Sequence, residues 1–165
     1  MRWIINICVN EFIMKKIMIA LAIVAALFTT ISCDKYDDGR PSKHIRQLFA
    51  EMYPSAKDVE WEVENGYWKV SFETGTGTSR VDSEAWYNDR GEWVRTETES
   101  YPSSLPDDIK TILNSSEYAS AMIDDVKFVQ TPSEEYYQFE LSVAGASIYV
   151  NVYSDGRIIP AKFEW

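Results

Sequence analysis

Apolar and polar positions alternate along this chain with two different periods, and the switches between them mark out its elements. From Ser42, a good N-cap after Pro41, the apolar residues Ile45, Leu48, Phe49 and Met52 recur at the spacing of one helix face, and Pro54 ends the pattern. A second helical start falls at Ser104, where Leu105-Pro106-Asp107 puts proline and an acid in the first turn and Ile109, Ile112 and Leu113 repeat the apolar spacing. Each helix is followed by runs of period two, rich in β-branched and aromatic residues. The first set opens with Val59, Trp61 and Val63 interleaved with Glu60, Glu62 and Glu64. It turns at Asn65-Gly66 and returns through Trp68, Val70 and Phe72. After the Gly75-Thr76-Gly77 loop come Val81 to Tyr87, a turn at Asn88 to Gly91, and a strand near Glu92 to Glu99. The second set reads Val126 to Gln130, Tyr136 to Val143, Ile148 to Tyr153 and Ile158 to Phe163, with turns at Pro132-Ser133-Glu134, Ala144-Gly145 and Ser154-Asp155-Gly156.

Both halves therefore read as a helix and then four antiparallel strands, an α+β tandem repeat written (αβ4)2 with residues 42–102 as the first copy and 103–165 as the second. Ile45 matches Ile109, Val59-Glu60-Trp61 matches Val126-Lys127-Phe128, Tyr67 to Val70 matches Tyr136 to Phe139, and Tyr87-Asn88-Asp89 matches Tyr153-Ser154-Asp155, at nearly constant spacing. A unit of about 60 residues is marginal alone, so the halves are expected to pack as one body.

Upstream of the helices, Met14-Lys15-Lys16 followed by the apolar run Ile17 to Phe28 has the layout of a signal peptide, with Met14 the expected initiator and residues 1–32 excluded from the fold. Ser32-Cys33 has the form of a lipobox, with Thr30 where that motif usually has Leu, and makes Cys33 the expected acylated N-terminus. Residues 33–41, polar with Gly39 and Pro41, read as a lipidated tether. The expected location is the outer membrane or cell surface, facing outward or toward the periplasm. Removing residues 1–32 takes away Arg2, Lys15, Lys16 and Glu11, which moves the net charge from −10 to −12. So negative a surface disfavours nucleic acid and offers no basic patch to anionic lipid, which leaves the acyl chain as the only expected membrane contact.

Phe49-Ala50-Glu51-Met52-Tyr53-Pro54-Ser55-Ala56-Lys57, the aromatic-rich segment Tyr67 to Phe72 and Asp89-Arg90-Gly91-Glu92-Trp93 resemble the PepSY-like, β-lactamase-inhibitor-protein-like family of secreted and lipid-anchored Bacteroidota proteins. Leu105-Pro106, Ile109, Val126 and Tyr153 to Arg157 resemble the same repeat, so that the likeness spans residues 42–165. The second copy lacks the Tyr-Pro helix ending and has Tyr118-Ala119-Ser120-Ala121 instead. The resemblance implies protein binding or inhibition at the cell envelope and carries no catalytic signature.

Little else in the mature chain suggests chemistry. His44 is its one histidine and is expected on the surface, which excludes the usual triads and multi-histidine metal sites. Glu60, Glu62 and Glu64 share a strand face where a carboxylate pair could serve a small hydrolase, but a solvated polar face is the better reading. No cofactor or metal is expected. Trp61, Trp68, Val70, Phe72, Tyr137, Phe139, Leu141, Ile148, Val150 and Val152 should face the helices. The opposite face then carries Tyr67, Lys69, Arg80 and Trp86 in the first half and Tyr136, Gln138, Tyr149, Asn151 and Tyr153 in the second. Tyr and Trp on a solvent face are typical of protein interfaces, and they are also good strand formers. The reading is a noncatalytic envelope lipoprotein that binds an unidentified envelope or extracellular protein, inhibitor-like, through an open sheet face on which Tyr67, Trp86, Tyr136 and Tyr149 are exposed. The alternative is a structural or accessory subunit of a surface lipoprotein complex, with a hydrolase a distant third.

Overall fold

A computed structural model describes residues 40–161; the expected signal peptide, Cys33, most of the tether and the last four residues lie outside the described residues. Helix α1 (Lys43–Met52) starts where the Ser42 hydroxyl accepts the Ile45 N–H at 3.3 Å, and it buries Ile45 and Phe49. Helix α2 (Asp107–Asn114) begins later than the sequence suggested. Ser104 closes a short 3-10 turn, Pro102–Ser104, in which its hydroxyl accepts the Tyr101 N–H and donates to the Tyr101 carbonyl. Spent on that turn, Ser104 is not the N-cap, and Pro106 stands there with Asp107 and Asp108 in the first turn.

The strands are β1 (Lys57–Glu64), β2 (Tyr67–Thr74), β3 (Val81–Tyr87), β4 (Trp93–Glu99), β5 (Met122–Gln130), β6 (Glu135–Val143), β7 (Ala146–Val152) and β8 (Ile158–Ala161). All pair antiparallel in sequence order. A four-stranded sheet was expected in each half; β4 and β5 join the two sets of strands into one sheet of eight through Thr96↔Gln130, Glu97↔Val129, Thr98↔Phe128 and Glu99↔Lys127. The β1–β2 turn holds Asn65 and Gly66 at φ 49° and 83°, and the β6–β7 turn holds Ala144 and Gly145 at 51° and 83°, the double positive φ of a two-residue hairpin turn.

Two apolar clusters hold the helices down. Ile45 and Phe49 pack on Trp68, Val70, Phe72, Ala85 and Tyr87. Leu105, Ile109 and Leu113 pack on Val126, Phe139, Leu141, Val150 and Val152. Ala85 pairs with Thr96, which pairs with Gln130, and Gln130 shares a face with Val126, so both helices cover the same face of the sheet. The ladders also correct two equivalences between the halves. Trp61 opposes Val70 as Val126 opposes Phe139, and Tyr87 opposes Trp68 as Val152 opposes Tyr137. The position matching Trp61 is thus Val126 rather than Phe128, and that matching Tyr87 is Val152 rather than Tyr153.

Candidate functional site

The side chains opposite the helices form the open face. Nothing helical covers them among the described residues, yet they do not lie loose in solvent. Lys69 on β2 reaches Glu62 at 2.7 Å, Glu64 at 2.9 Å and Glu84 at 3.4 Å, joining β1, β2 and β3. Burial pulls the Lys69 ammonium toward losing its proton, but hydrogen bonds to Glu62 and Glu64 and the charge of Glu84 outweigh this and hold it above its ordinary value. Arg80 sits just before β3 and pairs with Glu73 at 3.0 Å.

Trp86 corrects the expectation of exposed aromatics. It faces away from the helices, opposite Lys69 and Arg95, but only 4 % of it is exposed, because the Arg95 guanidinium lies over its ring at 4.2 Å. Arg95 in turn meets Glu97 Oε1 at 3.0 Å, and Lys127 meets Glu97 Oε2 at 3.0 Å across the β4–β5 junction. Both oxygens of buried Glu97 are thus occupied, one by a cation of its own strand and one by a cation of β5. Burial lowers the Arg95 guanidinium from its ordinary value, against the opposing charge of Glu97. For Lys127, burial is outweighed by the charge and hydrogen bond of Glu97, and its ammonium is raised.

In the second half Tyr153 is buried too, at 6 % exposure, where an open position was expected. The Tyr136 ring lies 5.1 Å to one side and the Arg157 guanidinium 4.0 Å over its ring, and Glu134 accepts from the Tyr153 hydroxyl at 3.4 Å and from Arg157 at 3.3 Å. The Tyr136 and Tyr153 hydroxyls are both raised, first by burial. Gln138 donates to Asn151 across the β6–β7 ladder at 3.1 Å. Tyr67, Tyr136 and Tyr149 are half-buried, with Tyr149 opposite Glu140. Cys33 lies outside the described residues. His44 is exposed at the start of α1, its ring close to Gly91.

Arg95, Glu97, Lys127, Glu84 and Arg157 were missed as parts of this face. Alternation through Arg95, Glu97 and Glu99 marks the first two, but their role depends on the β4–β5 register, which no local pattern contains. Beside this ridge lies a depression of about 400 Å³ lined by Asp58, Glu60, Glu73, Asp82, Glu84, Glu97 and Glu99, with Lys127 as its one cation. Burial raises the Glu99 carboxyl above the usual carboxylate range, helped by Asp82 and Asp125. A second cleft of about 550 Å³ lies between hairpin turns, where Asn65, Tyr67, Asn88, Arg90 and Val94 meet. Among the described residues no three His, Cys, Asp or Glu side chains gather as a metal site, and no helix is long and apolar enough to cross a membrane.

No family model and no curated protein sequence matches the chain. Solved structures do. A BLIP-like protein from Bacteroides fragilis is 23 % identical with a TM-score of 0.66, over 73 % of this chain and 84 % of its own. A DUF2874 family protein from Bacteroides ovatus is 22 % identical with a TM-score of 0.64, over 73 % and 88 %. A candidate periplasmic protein from Bacteroides eggerthii is 18 % identical with a TM-score of 0.60, over 74 % and 90 %. The chain thus has the fold of BLIP-like and DUF2874 proteins of Bacteroides, as the sequence resemblance implied.

Proposed function

We propose that this chain is a noncatalytic module of the cell envelope that binds another protein through the open face of its sheet. The observation that carries this reading is the one-sided cover: both helices and both apolar clusters lie on one face, and the other presents charged and aromatic side chains fixed by mutual pairing. A face so held loses little side-chain freedom on docking, which favours recognition. The acidic depression makes a cationic surface the complementary one. An inhibitor-like role rests on the likeness to BLIP-like proteins alone. Export rests on the N-terminal pattern and is supported by the likeness to the candidate periplasmic protein of Bacteroides eggerthii, whereas the acyl anchor at Cys33 rests on the N-terminal pattern alone.

Photoreactive residues placed at Glu84 and Tyr149, and on the helix side at Gln47, test the face in living cells. Specific adducts at the first two and none at Gln47 are expected; adducts confined to Gln47 would place the contact on the helices. In the same cells Cys33→Ala should move the protein from the membrane to the soluble fraction, and unchanged membrane association removes the lipoprotein reading.

A further inference from the structure

The sheet has two edges, and they are not alike. On one side β8, described over Ile158–Ala161, contains Pro160, which has no N–H to offer a neighbouring strand. On the other β1 runs for eight residues without proline, and no strand pairs with its outer side among the described residues.

The hydrogen-bonding sense of β1 follows from its turn. With Asn65-Gly66 as a two-residue loop, Glu64 and Tyr67 close the hairpin as a hydrogen-bonded pair. Glu62↔Lys69 and Glu60↔Ser71 are then also bonded pairs, whereas the N–H and C=O groups of Val63 and Trp61 point to the free edge. A bulge at Asp58, with φ 49°, ends the regular ladder at Glu60. The competent edge is therefore Glu60 to Glu64.

Its side chains specify what could pair there. Val63 is 63 % exposed and Val59 40 %, on the helix side beside half-buried Trp61. Glu60, Glu62 and Glu64 stand on the open side, and Lys69, shared with Glu84, leaves that row strongly negative. Residues directly opposite on an antiparallel neighbour share a face, so an incoming strand needs apolar side chains opposite Trp61 and Val63 and cationic ones opposite the glutamates. A second copy of β1 meets the row with carboxylates of its own, which disfavours self-pairing.

We propose that the free edge of β1 takes up an extended segment of a partner protein in which Lys or Arg alternates with apolar residues, adding a ninth strand. This rests on the reading of the chain as a protein-binding module but not on the open face being its contact surface.

The test uses the full chain in detergent and a capped peptide of four Lys-Val repeats, with Glu-Val and Lys-Gly repeats as controls. Excess Lys-Val peptide should slow hydrogen exchange at the Trp61 and Val63 amides by about tenfold or more, since free edge amides have little protection of their own. Val63→Pro removes one outward N–H without touching a β1–β2 bond and should weaken binding by about tenfold. Glu60→Lys should weaken it by about fivefold, while Gln47→Ala, on α1 and away from the edge, leaves it intact. Equal binding by the Lys-Gly peptide, protection that spares Trp61 and Val63, or dimerisation of the chain through β1 would each overturn the proposal. Should Val63→Pro lower the melting temperature, the exchange pattern of the unaltered chain decides alone. Loss of the edge effect with adducts at Glu84 and Tyr149 retained discards the edge and keeps the open face.

Discussion

Trp86→Ala separates a residue's facing from its exposure. Read as an outward strand residue, Trp86 should tolerate truncation at a cost under about 1 kcal/mol, as surface positions do. The structure gives a different magnitude. A buried tryptophan hides roughly 150–250 Å², which at ~25 cal/mol per Å² is an upper value of about 4–6 kcal/mol. The cover is the flexible Arg95 side chain, which can settle into part of the gap, and its stacking adds about 0.5–1 kcal/mol. The expected loss is therefore about 3 kcal/mol, near the low end for aromatic core truncations. In urea, with a slope of about 1–3 kcal/mol per M, this moves the unfolding midpoint down by about 1–3 M. Trp86→Phe keeps an aromatic under Arg95 and should lose less than half as much. A shift under about 1 kcal/mol for Trp86→Ala at unchanged slope would refute the claim that Arg95 and the neighbouring strands bury this ring.

Thr96 is 1 % exposed and its hydroxyl is shared by the Tyr53 hydroxyl at 2.5 Å and the Trp93 indole N–H at 2.9 Å, so Thr96→Val should cost about 1–3 kcal/mol in a denaturant melt. Glu99 holds its proton more tightly folded than unfolded, so its ionisation opposes folding at neutral pH and not below the unfolded carboxylate range. Glu99→Gln should thus melt higher than the parent at pH 7, with the difference vanishing below about pH 4. Residues 40–102 expressed alone lose the β4–β5 ladder and the Lys127–Glu97 pair, and should unfold at lower denaturant than 40–165; equal midpoints would show that the halves are energetically independent.

What the sequence disclosed was local. The spacing of Ile45 and Phe49, the Ser42 cap and the Asn65-Gly66 turn each act within a few residues, and the structure has them where the pattern puts them. Errors arose where a local signal had two uses or where alternation broke. Ser104 is as good a turn residue as a cap, and it serves the turn. Strand β5 begins at Met122 rather than Val126, because an irregularity between Ile123 and Asp125 breaks the period-two pattern just where the strand starts. The union of two sheets into one was out of reach for a different reason. It rests on residues such as Glu97 and Val129, distant in the chain, whose edges would look equally complete if left unpaired.

Facing and exposure come apart on the open face for the same reason. Alternation is a property of one strand and assigns Trp86 and Tyr153 to the side away from the helices. Exposure depends on what the neighbouring strand or turn supplies, and here it supplies arginines long enough to lie across an aromatic ring while keeping their charge near solvent. The consequence bears on recognition. With Trp86 and Tyr153 already covered, the face has fewer large apolar anchors to offer than its sequence suggests. What stands out instead is the row of carboxylates from Glu60 and Glu62 through Glu84 to Glu99, held in place by Lys69, Arg95 and Lys127 but not neutralised by them. On the proposed reading, a face of that kind would select its partner chiefly by charge. Association should then slow steeply with added salt, and the half-buried tyrosines Tyr67, Tyr136 and Tyr149 should contribute less to the choice of partner than the acidic row.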